Sequence, residues 1–135
     1  MTRRNSSLGF LGRFGRSEDL RRLDAALRGF DLHPALVPEG AKLAIVNMMK
    51  DAWPEREPPA EAYPPVAGLF AYCLVGPDLF AEANGPEAAA EAEARIDAAL
   101  DAGEGMDADL VLLALHARLV SPKVVEKFDL AVERE

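Results

Sequence analysis

Apolar residues recur along most of this chain three and four positions apart, the spacing of one helix face, and they seldom alternate as a strand requires. Leu20, Leu23, Leu27 and Phe30 form the first such stripe, with Arg21, Arg22, Asp24 and Arg28 placed to face water. Ser17 is suited to cap this helix, Glu18 and Asp19 put negative charge in its first turn, and Gly29 with the Asp31–Pro34 turn ends it. Ala41, Ala44, Ile45, Met48, Met49 and Ala52 repeat the pattern over a second helix from Pro38 to Ala52, its buried face widened by Leu43 and Val46. The proline-rich stretch Pro54–Pro65 reads as a structural spacer, and it contains no PxxP spacing for a groove that binds polyproline.

Beyond the spacer, Val66, Leu69, Phe70, Cys73 and Leu74 share a face of a helix over Val66–Val75, and Gly68 permits close approach by a neighbour. Gly76-Pro77 stops it. A short helix is expected over Asp78–Ala83, followed by an alanine- and glutamate-rich one over Pro86–Ala102. The inward stripe of the latter (Ala89, Ala92, Ile96, Ala99, Leu100) has few large side chains, which places it at the periphery, and Glu91 and Arg95 are spaced as an i, i+4 pair. Gly103 and Gly105 break the chain. Leu110–Val120, LVLLALHARLV, is apolar on almost every side until Arg118, and such a segment is expected to be a central buried helix, with Val66–Val75 crossing it at the centre of the bundle. Ser121-Pro122 opens a last helix carrying Val124, Val125, Phe128 and Ala131.

All ten prolines fall at one of these breaks or in a first turn. The pattern predicts an all-α fold: a compact single-domain bundle of about six or seven helices over residues 17–135, preceded by an arm over residues 1–16. At 135 residues such a chain buries roughly two-thirds of its unfolded surface and needs neither disulfide nor metal to fold.

Charge changes the picture more than composition does. Residues 1–28 hold seven basic and three acidic side chains, whereas the other 107 carry a net −12, for a total of −8. Residues 1–16, MTRRNSSLGFLGRFGR, contain four arginines and no acid, with glycines at 9, 12 and 15 that oppose a stable helix. This composition suits a mobile terminus, and its acid-free start is shared with organellar transit peptides. It also suits a recognition arm in which Phe10, Leu11 and Phe14, with Leu8, enter a groove while Arg3, Arg4, Arg13 and Arg16 contact acids on a second copy of the chain. An acidic body disfavours phosphate backbones, so attachment to nucleic acid or a membrane surface would have to run through residues 1–16 alone. No apolar run is long enough to span a bilayer, no secretory signal opens the chain, and a cytoplasmic location is the expectation.

Reactive chemistry is sparse. The single Cys73 excludes an internal disulfide, and one cysteine with two histidines at no ligand spacing makes no recognisable zinc site. Asp101–Asp109, DAGEGMDAD, fails as a calcium loop because Met106 stands where glycine is needed and Leu112 where glutamate is needed. Cys73 and His116 are the one nucleophile–base combination, but both fall in helices expected to be buried, where a thiol is inert and a histidine is a hydrogen-bonded core residue. Glu93, Asp97 and Asp101 form an i, i+4 row of the kind an exposed helix carries. No glycine-rich phosphate loop is present, and no cofactor is implied.

The reading these features favour is a non-enzymatic protein–protein interaction module, a homodimer in its simplest form, using the arginine–phenylalanine arm or an apolar helix face. A small-molecule pocket or enzyme site around Met49, Trp53, Tyr72 and His116, with Met48 and Phe70, is the alternative.

Overall fold

A computed structural model describes residues 17–130; residues 1–16 and 131–135 lie outside the described part. Among the described residues seven α-helices follow one another: α1 (Glu18–Gly29), α2 (Glu39–Ala52), α3 (Tyr63–Val75), α4 (Pro77–Asn84), α5 (Pro86–Ala102), α6 (Met106–His116) and α7 (Pro122–Phe128). Single 3-10 turns at Pro34–Leu36 and Ala60–Ala62 precede α2 and α3, and no strand occurs among the described residues. The all-α bundle follows from the sequence as expected.

The breaks explain themselves locally. Ser17 accepts a hydrogen bond from the Leu20 amide and starts α1. Ser121 does the same for α7 through the Lys123 amide. Between α3 and α4 stands Gly76, whose φ of 94° and ψ of 169° suit essentially glycine alone. A Cβ there would also meet the Ser121 Oγ at 2.9 Å, where the chain before α7 crosses and the Ser121 amide donates to the Cys73 carbonyl at 2.8 Å.

Of the two segments expected to cross at the centre of the bundle, it is α3 that holds it, rather than Leu110–Val120. Nine of the thirteen residues of α3 are buried, Tyr63 and Val66 through Cys73, and α1, α4, α5 and α6 all pack against it. The leucine-rich tract is helical only to His116 and buries one face through Leu110, Val111, Ala114 and Leu115. Arg118 takes a left-handed conformation at φ 62°, which ends the helix and lets the Leu119 amide close back on the Ala114 carbonyl at 2.9 Å. Ser121, the residue before Pro122, is extended, so no helix could pass beyond Val120 in any case. Leu112 and His116 consequently point to solvent. The core still draws on every helix, from Leu23 and Leu27 in α1 to Ile96 in α5 and Val124 in α7.

Three polar ties join the helices, and two of them, at Asp24 and Glu93, revise the reading of an exposed residue. Asp19 is buried, accepting the Tyr63 hydroxyl at 2.9 Å and the Lys50 ammonium at 3.1 Å. Asp24 does not face water: it pairs at 3.1 Å with Lys42, whose side chain is almost fully enclosed. Glu93 is not part of an exposed row, since it accepts the Tyr72 hydroxyl at 2.7 Å. Arg95, in turn, reaches past Glu91 to form two bonds with Asp107, at 2.9 and 3.1 Å, and a third to the Pro65 carbonyl. That guanidinium locks α5 to the starts of α6 and α3.

Candidate interaction surface

The leucines that the bundle leaves outside define the surface most able to bind something. The stripe expected to be inward on α5 includes Leu100, but that side chain is 45 % exposed; Leu112, next to it on α6, is 47 % exposed. Leu43, expected on the buried face of α2, is also exposed, as are Leu36 and Leu79. Helices α5 and α6 run back on each other across the glycine-bounded turn at 103–105, so Leu100 and Leu112 come side by side. With Ala99, Gly103, Ala108, Val111 and Leu115 below them, and Phe128 to Leu130 of the α7 end opposite, they line an open groove of about 380 Å³. Its lining is apolar apart from Asp129 and backbone groups.

Asp129 lines this groove, and further carboxylates lie near its residues in sequence. Asp97 and Asp101 lie within one helical turn of Leu100, Glu104 adjoins Gly103, and Asp109 sits one turn before Leu112; all four side chains are exposed, as is Asp129. Lys127, beside Phe128, is the basic residue nearest in sequence. A groove of this kind can take apolar anchors along its floor and cations along its edges.

A second cleft, of about 410 Å³, lies between Phe30 and α4, with Leu79, Phe80 and Val75 on its walls. Phe30 and Phe80 stack there at 6.0 Å between ring centroids, and the Asn84 amide donates to the Phe30 carbonyl. Asp31 and Glu82 are its two acids.

The residues named for a small-molecule pocket are not brought together. Met49 and Phe70 are fully buried in the core, and Met48 is half-buried beside it. Tyr72 is enclosed between Phe80 and Phe128. Trp53 lines a separate polar cleft with Lys50 and Pro54–Pro58. His116 is not a core histidine; it stands exposed at the end of α6. That same exposure separates it from Cys73, which is completely buried. Burial pushes the Cys73 thiol up to about 12, only partly offset by the positive charge of Arg95, so its thiolate form is suppressed. No group of three or more potential metal ligands occurs among the described residues, and no described helix is long and apolar enough to cross a membrane. The arm residues Arg3, Arg4, Phe10, Leu11, Arg13, Phe14 and Arg16 lie outside the described residues.

Comparison with protein-family models, with curated proteins and with solved structures returns no match.

Sequence reasoning missed the groove because an outward leucine and an inward one look alike in a helical repeat. The available signal was the widened apolar pattern of α6, in which Leu112 falls at the edge of the Leu110, Val111, Ala114 and Leu115 face.

Proposed function

We propose that this chain is a non-enzymatic interaction module that associates with a second copy of itself through residues 1–16. The observation that carries the reading is the opposition of charge within one chain: four arginines and no acid in the first sixteen residues, against a net −12 beyond residue 28. Two such bodies repel one another unless something positive lies between them, and the arms are the concentrated positive charge available. The alternation of Phe10, Leu11 and Phe14 with Arg13 and Arg16 supplies apolar anchors beside those cations, the residue types that dominate interface energetics. The exposed leucines of the bundle provide apolar surface to receive them.

Light scattering coupled to size exclusion tests this directly. The full chain is expected at dimer mass at tens of micromolar, and a variant with Arg3, Arg4, Arg13 and Arg16 changed to serine at monomer mass. Equal masses for the two proteins would remove the arm from the account.

A further inference from the structure

We infer that the groove between α5, α6 and the end of α7 is the receptor for the Leu8–Phe14 segment of a second copy, exchanged reciprocally about a two-fold axis. The inference rests on the self-association reading and assigns that reading a receiving surface. Three observations carry it.

The first is chemical match. The segment offers Leu8, Phe10, Leu11 and Phe14 with Arg13, followed by Arg16. The groove offers Leu100, Leu112, Val111 and Leu115 as floor and walls. Its lining holds Asp129, and exposed Asp97, Asp101, Glu104 and Asp109 lie close by in sequence. The cleft beside Phe30 also carries acids, Asp31 and Glu82, but its wall is tied by the hydrogen bond from Asn84 to the Phe30 carbonyl.

The second is reach. Phe14 stands three residues before Ser17, so it extends at most ~10 Å from the start of α1. α1 packs on α2 and α3, while α5 and α6 pack on α3 elsewhere and make no substantial contact with α1. With α3 intervening, α1 stands more than one helix-to-helix distance, about 8–10 Å between axes, from the helices of that groove. Phe14 is therefore at the limit of its reach toward the groove of its own chain. In a second copy nothing holds it back.

The third is area. A buried aromatic side chain covers ~150–250 Å², so two phenylalanines and two leucines bury on the order of 600 Å² per arm. Counting the groove surface it covers as well, one arm removes about 1,200 Å², the lower bound for specific association. Two exchanged arms roughly double that before the flanking arginines are added, which brings the pair into the range of permanent homodimers. Closure about a two-fold axis supplies that second arm at no further cost in specificity.

The test uses full-length chains throughout. Leu112→Asp puts a charge on the exposed groove edge, and Leu43→Asp is its control on an exposed leucine elsewhere. A Phe10→Ser, Phe14→Ser double variant removes the anchors of the arm. Sedimentation equilibrium is expected to show at least a tenfold weaker dimer for Leu112→Asp and for the phenylalanine double variant, with unchanged far-ultraviolet circular dichroism, and no change for Leu43→Asp. Mixing the Leu112→Asp chain, whose arm is intact, with the phenylalanine double variant, whose groove is intact, is then expected to give a heterodimer held by one arm in one groove, weaker than the wild-type dimer but tighter than either variant with itself. If the phenylalanine variant loses the dimer while Leu112→Asp keeps it, self-association through the arm stands and the groove assignment falls. If Leu112→Asp alone loses it, the groove is a body-to-body interface and the arm reading falls instead. A monomeric full chain overturns both.

Discussion

Tyr63 and Cys73 show how much of the bundle's chemistry is set by burial. The Tyr63 hydroxyl is pushed up to about 12 by its enclosure first, and then by its hydrogen bond to Asp19 and the charge of that carboxylate. An unfolded tyrosine gives up its proton near 10. Between about 10 and about 12 the unfolded chain therefore binds fewer protons than the folded one, and stability falls as the pH rises through that window. The buried Cys73 thiol has the same sign and starts the decline lower, from about 9. Urea midpoints measured between pH 8 and 12 are expected to drop throughout the upper half of that range. Tyr63→Phe should cost about 1–2 kcal/mol at neutral pH, because Asp19 loses a donor in a buried place, but its midpoint should fall less steeply above pH 10. The same burial predicts that the folded protein at pH 8 resists alkylation by iodoacetamide, while the urea-unfolded chain reacts readily at its single cysteine. Rapid labelling of the folded protein would show the thiol to be accessible and reopen nucleophilic chemistry at this position.

The helices show what a single sequence can and cannot convey about elements. Capping residues, prolines and glycines act within a few positions, so the ends of α5 at Pro86 and Ala102 and the start of α7 after Ser121 are legible directly. Which helix is central depends on what packs around it, and a run of leucines misleads there. α3 carries Gly68 and Ala71 alongside its large side chains, and these small residues let neighbours close in from several sides. A Cβ on Gly68 would stand 2.8 Å from the Phe30 ring. α6 is richer in leucine yet buries one face. The polar ties were hidden for a similar reason: Asp19 and Tyr63 are 44 residues apart, and nothing local in the sequence marks either as a partner. Gly76→Ala tests the joint between α3 and α4. It combines a backbone conformation closed to alanine with a Cβ that meets Ser121, and it is expected to cost about 2–4 kcal/mol in chemical denaturation. Arg118→Gly at the left-handed end of α6 should do the opposite, stabilising by up to about 1 kcal/mol. A destabilised Arg118→Gly would mean that the arginine side chain holds the α6–α7 turn by a contact stronger than its backbone strain.

At the scale of the whole molecule, the sign of the salt dependence decides whether the arms lie between two bodies or elsewhere. Each body carries a large negative charge, so bodies meeting face to face without the arms would repel at low salt and associate better as salt screens them. Arms seated in the grooves reverse that sign, because their arginine contacts are attractive and are the ones that salt weakens. Raising sodium chloride from about 0.05 to 0.5 M, which shortens the screening length to well under 10 Å, is expected to weaken the dimer by about tenfold. It should not abolish it, since the phenylalanine and leucine anchors are indifferent to screening. The serine variant lacking the four arm arginines should show the reverse trend, with whatever association it retains growing stronger as salt rises. A wild-type dimer that tightens with salt would place the positive arms away from the interface, however well the groove fits their apolar residues.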